Sequence, residues 1–111
     1  MYRFGILTVI ALCSGFPTIV AAAADSVPKL DVSASCRGAA TAATATATDA
    51  KATMQRCLNS EQKTYDQLVK EWLNFPPADR VTCVKSIWGF EPTYTELLTC
   101  LEMARSVKTI K

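Results

Sequence analysis

The sequence contains no histidine. That absence removes Ser-His-Asp and Cys-His nucleophile pairs, His-ligated zinc, and haem attachment through a Cys-x-x-Cys-His run. It also removes an imidazole-based pH switch. Net charge is scarce too: 12 Lys+Arg against 10 Asp+Glu leave +2 over 111 residues. Such a balance gives no basic footprint for a nucleic-acid partner and no strongly basic face for a membrane-active helix. A chain of this length makes one small domain.

Five cysteines are present, but no two of them lie close together. From Cys36 to Cys57, to Cys83 and to Cys100 the intervening lengths are 20, 25 and 16 residues, so the Cys-x2-4-Cys knuckle of a zinc site is missing. The same gap argues against thiol oxidoreductase activity, which needs a resolving thiol beside an activated one. Neither a metal nor a cofactor is expected.

Half of the sequence is hydrophobic, yet much of that half sits at the N-terminus. Arg3 precedes the apolar run from Phe4 to Cys13, a second apolar patch spans Phe16 to Val20, and Ala21 to Ala24 lead into Asp25. Residues 1–24 read as a secretory signal, with cleavage after Ala22-x-Ala24, or after Ala21-x-Ala23. A membrane anchor over residues 4–24 is the competing reading, since a span takes about 20 residues; Gly15, Pro17 and the alanine tail oppose it. A lipoprotein reading through Cys13 suffers from Leu12, where a small residue belongs. Cleavage would leave 87 residues with a net charge of +1 and no stable membrane anchor. So small a chain has few core residues, and staples are expected. Four cysteines behind a signal read as two disulfides in an oxidising compartment.

The rest of the chain divides at about residue 48. Residues 25–48 read as an extended arm containing Pro28 and three Ser, followed by an Ala/Thr-rich linker or frayed helix at 39–48. Residues 49–111 read as a helical domain. Met54, Leu58, Tyr65, Leu68, Trp72 and Phe75 form one helical stripe, and the single gap in it holds Glu61. Cys57 and Val69 widen the stripe. Thr48 or Asp49 can cap this helix, Pro76-Pro77 ends it, and Asn59-Ser60 is where a kink would fall. Its length is about 39 Å.

A second helix is expected from Pro77 to Trp88, burying Val81, Val84 and either Ile87 or Trp88, with Gly89 as its C-terminal stop. A third follows Pro92, where Thr93 and Glu96 form a capping box and Tyr94, Leu97, Leu98, Leu101, Ala104 and Val107 make the stripe. The fold class is therefore all-α: a small disulfide-stapled helical domain, one long helix plus a two-helix hairpin. Helical rise puts Cys83 and Cys100 each roughly 9–12 Å from the same turn, facing each other across the hairpin. It puts Cys57 about 28 Å from the Pro76 turn but Cys83 only about 10 Å from it, out of register with each other. Cys36–Cys57 with Cys83–Cys100 is the favoured pairing. A bend at Asn59 would favour Cys36–Cys83 with Cys57–Cys100 instead.

Four segments in the second half of the chain carry a resemblance. They are Cys57-Leu58-x-x-Glu61-Gln62, Leu68-x-x-Glu71-Trp72, Pro77-Ala78-Asp79-Arg80-x-x-Cys83, and the run from Tyr94-x-Glu96 to Ala104. Together they resemble a group of small four-cysteine secreted proteins of alpha-proteobacteria. That resemblance implies a periplasmic location and a helical disulfide fold, and no mechanism. The Ala/Thr run and Trp88-Gly89-Phe90 stand outside the pattern. More faintly, the segment from Cys57 to Cys83 is similar to periplasmic lysozyme-inhibitor-like helical domains.

Carboxylates are the catalytic groups available in quantity. Glu61, Glu71, Glu96 and Glu102 could in principle supply an acid and a base. Glu96 is explained by the cap, Glu71 sits beside Lys70, and Glu102 can pair with Arg105 or Ser106. Only Glu61 lacks a local explanation, and a helix-exposed charge is the simpler reading of it. No catalytic residue is assigned and an enzyme is not expected. Trp72, Phe75, Trp88, Phe90 and Tyr94 gather around the two turns, either as a sealed aromatic core or as contacts for another periplasmic or extracellular protein, with Arg80 and Lys85 at the rim. The expected function is a non-enzymatic protein-interaction module. A small carboxylate-dependent hydrolase, or a carrier of a small apolar ligand, is the alternative.

Overall fold

The computed structural model describes residues 25–43, 46–89 and 91–110. The expected signal at 1–24 and the expected contact residue Phe90 lie outside the described residues. Among the described residues four helices follow one another: α1 at Ser33–Ala43, α2 at Ala47–Glu71, α3 at Pro77–Ile87 and α4 at Tyr94–Thr109. No strand occurs among the described residues. Two disulfides, Cys36–Cys57 and Cys83–Cys100, staple the helices, with Cα–Cα separations of 5.5 and 5.7 Å. The fold is all-α and disulfide-stapled, with the favoured pairing and one helix more than the sequence pattern gives.

That additional helix, α1, takes in the end of the expected extended arm and the first part of the stretch read as a linker or frayed helix. Asp31 starts it, its carboxylate accepting the Ser33 N–H at 3.0 Å and the Ser33 hydroxyl as well. Those two bonds, the hydroxyl's first, hold the Asp31 carboxyl below the usual aspartate range against an opposing effect of desolvation, with the charge of Arg37 helping least. Their support for the helix start is thus present above the ordinary aspartate pKa and fades as pH falls through the lowered one. Threonine opposes helix only mildly, and Thr41 returns its hydroxyl to the Arg37 carbonyl at 2.9 Å. Cys36 and Ala40, one turn apart, are both buried, and the bridge to Cys57 fastens α1 to α2. Packing and the disulfide decide a helix that propensity leaves open.

The long helix starts two residues earlier than expected. Thr46, rather than Thr48 or Asp49, is its cap: the Thr46 hydroxyl accepts the Asp49 N–H at 3.1 Å and donates to the Asp49 carboxylate at 2.7 Å. The helix passes unbroken through Asn59-Ser60. Asn59 is exposed and its side chain accepts from Gln55 Nε2 at 3.1 Å, so it does not compete with the backbone. At the far end a short 3-10 turn, Trp72–Asn74, leads through Phe75 into the prolines.

Pro77 takes the first position of α3, and Asp79 in the first turn is bridged by Lys108 Nζ of α4 at 2.5 Å. Cys83, Val84 and Ile87 form the buried face, while Trp88 is 58% exposed. Gly89 is not a left-handed stop, because no described glycine has positive φ. Leu68, Trp72 and Phe75 meet these residues and Tyr94, Leu97 and Leu101 of α4 in one core. Val69 and Val107, expected on apolar stripes, are exposed at 52% and 71%. The segment before α1 is extended but not loose: Val27, Leu30 and Val32 pack against the core.

The two staples have separable effects. Replacing Cys83 and Cys100 together by Ala is expected to lower global stability by about 3 kcal/mol in chemical denaturation. Replacing Cys36 and Cys57 is expected to release α1 first, seen as fast amide exchange across 33–43 while α4 stays protected. Equal loss of protection in both helices would contradict that division.

Candidate functional site

The gap in the apolar stripe of α2 is filled by a buried carboxylate. Glu61 is only 7% exposed, so the expectation of a solvent-facing charge is corrected. Its Oε2 accepts the Tyr94 N–H at 2.7 Å and the Thr95 N–H at 3.4 Å, and its Oε1 accepts the Thr95 hydroxyl. Tyr94 and Thr95 are the first two residues of α4, whose N–H groups have no partner inside the helix. The third is capped by Thr93, whose hydroxyl accepts the Glu96 N–H at 3.1 Å. A negative charge at this end also meets the positive pole of the helix dipole. Glu61 therefore has a structural explanation that no local pattern in the sequence supplies. Of the other carboxylates, Glu71 accepts from Gln67 Nε2 at 3.0 Å on the surface of α2. Among the described residues, no three acidic or Cys side chains gather as a metal site would require.

The aromatic residues separate into two groups. Trp72, Phe75 and Tyr94, named as candidate contacts, are 3%, 1% and 8% exposed and belong to the core, because the turns fold them inward. Arg80 follows them. It was expected at a surface rim, but it is buried, with its guanidinium 5.7 Å from the Trp72 ring centroid. Arg105 stands 4.3 Å from the centroid of Phe75. Trp88 alone of the described candidates reaches solvent, with Lys85 exposed on the same helix end.

Beside the Glu61 junction lies a groove of about 390 Å³ between α2 and the segment before α1. Leu30, Val32 and Leu58 supply its aliphatic wall, and Tyr65 and Tyr94 its rings, 4.9 Å apart and tilted by 58°. The Tyr94 hydroxyl accepts the Leu30 N–H at 2.8 Å, which ties the extended segment to α4. Lys29 and Gln62 complete the lining. A second groove, of about 400 Å³, is lined by Ser86, Thr95, Glu96, Thr99, Cys100 and Met103. A third, of about 310 Å³, is bordered by Asp25, Val27, Tyr65, Val69, Trp72 and Leu73. The first and third grooves were not legible beforehand, since each joins the segment before α1 to helices distant in sequence, while the second lies within the α3–α4 hairpin.

Fold and site together define a small helical domain held by two disulfides, of the kind that persists in an oxidising compartment. No family model, curated protein or solved structure matches this chain. None of the described helices is long and apolar enough to cross a membrane.

The Glu61 contacts make a direct prediction for stability. Glu61→Ala is expected to cost about 3 kcal/mol in urea unfolding, because it strips two N–H groups of a charged acceptor. Glu61→Gln keeps an acceptor oxygen without the charge and should lose roughly half as much. Unchanged stability in both variants would remove the carboxylate from its assigned role.

Proposed function

We propose that the protein is a small non-enzymatic interaction module that works in the periplasm or outside the cell, with Trp88 as the anchor for a protein partner. The supporting observation is the exposure of Trp88, at 58%, beside Trp72, Phe75 and Tyr94, which are turned into the core. An indole left in water forgoes burial worth roughly 2 kcal/mol or more, and exposed aromatic side chains are the usual centres of protein contacts. Met103 is exposed at 64% on the adjoining hairpin helix and lines the neighbouring groove with Thr99. Two disulfides and the expected signal favour the oxidising compartment. The carboxylate-hydrolase alternative loses its strongest candidate once Glu61 is engaged in holding α4.

The test is capture from periplasmic extract by the oxidised protein and by Trp88→Ala in parallel. Loss of an exposed side chain should leave thermal unfolding unchanged. A partner held by the original chain should bind the variant at least tenfold more weakly. Recovery of no partner, or equal recovery by both proteins, would overturn the reading.

A further inference from the structure

We infer that the groove beside the Glu61 junction binds a small amphiphile, an apolar body carrying one carboxylate. Its volume of about 390 Å³ falls within the range of small-molecule sites. The aliphatic wall of Leu30, Val32 and Leu58 and the two tyrosine rings suit an alkyl or similarly apolar body. Of the polar lining, Lys29 and the Tyr94 hydroxyl offer donors, while Gln62 gives its amide N–H to Asp66 at 3.0 Å. Lys29 is its sole charged residue, is exposed, and makes no ion pair among the described residues. The Tyr94 hydroxyl is within a residue more than nine-tenths buried, and it accepts from Leu30 while its own proton has no acceptor among the described residues.

Charge separates this groove from the other two. The second carries Glu96 and the third carries Asp25, so each presents a carboxylate to its contents. Only the first offers a cation with no acid in its lining, and a carboxylate head placed at Lys29 would gain a charge-assisted hydrogen bond. The inference stands apart from the interaction reading, because Trp88 does not line this groove.

Sodium decanoate, kept below its micellar concentration, is the probe, and amide chemical-shift mapping of the oxidised protein is the readout. Saturable shifts are expected at Lys29, Leu30, Gln62, Tyr65 and Tyr94. Lys29→Glu should weaken binding at least tenfold and Lys29→Gln by less, while Lys70→Glu, which reverses an exposed charge on α2 outside the groove, should leave it unchanged. Thermal unfolding confirms that the exposed-lysine variants remain folded. Absence of saturation, shifts centred on another groove, or undiminished binding by Lys29→Glu would overturn the proposal.

Discussion

A single carboxylate, on Glu61, joins the long helix to the start of the last one. By taking the Tyr94 and Thr95 N–H groups it fixes where α4 begins and the height at which it meets α2. Tyr94 is placed in turn: its ring packs on Tyr65 and its hydroxyl holds the Leu30 N–H. The extended segment before α1 is thereby laid across α2, and the groove containing Lys29 exists because of it. Burying a carboxylate is costly unless it is hydrogen-bonded, and here three donors converge on it. An apolar residue at position 61 would continue the stripe but leave the start of α4 without acceptors.

Around this junction the core is small, as the composition leads one to expect. Leu68, Phe75, Leu97 and Leu101 are fully enclosed, and much of the remaining apolar surface stays in water. The disulfides act where packing is thin. One fastens α1, a short Ala-rich helix that buries Cys36 and Ala40, and the other closes the α3–α4 hairpin. Arg80 and Arg105 cover aromatic faces that further apolar residues would cover in a larger domain. The Lys108–Asp79 bridge adds a second, partly exposed tie between the hairpin helices.

Much of this was legible where the cause is local. The period of the Met54–Phe75 stripe, the Pro77 start and the Thr93 cap each act within a few residues, and α2, α3 and α4 start within two or three residues of where those signals place them. Cysteine register followed from helical rise once the hairpin was assumed. What escaped depends on tertiary contact. The helical state of 33–43 rests on Cys36 and Ala40 meeting α2, and composition alone leaves it undecided. The gap at Glu61 was visible as an anomaly, but its partner lies 33 residues further on, so its purpose was not. Likewise, the clustering of aromatic residues was plain, while the inward turn of Trp72, Phe75 and Tyr94, and the outward turn of Trp88, is set by how the helices pack.

The functional reading depends on this frame being rigid, since both Trp88 and the Lys29 groove are positioned by the helices that Glu61 and the cysteines hold together. Amide hydrogen exchange at Tyr94 and Thr95 tests that most directly. The first N–H groups of a helix ordinarily exchange freely, having no intrahelical acceptor. If Glu61 holds them, the Tyr94 amide will be protected about as strongly as the interior amides of α4, with Thr95, at the longer distance, somewhat less. Exchange of both at the rate of an unstructured chain would contradict the junction on which the account rests.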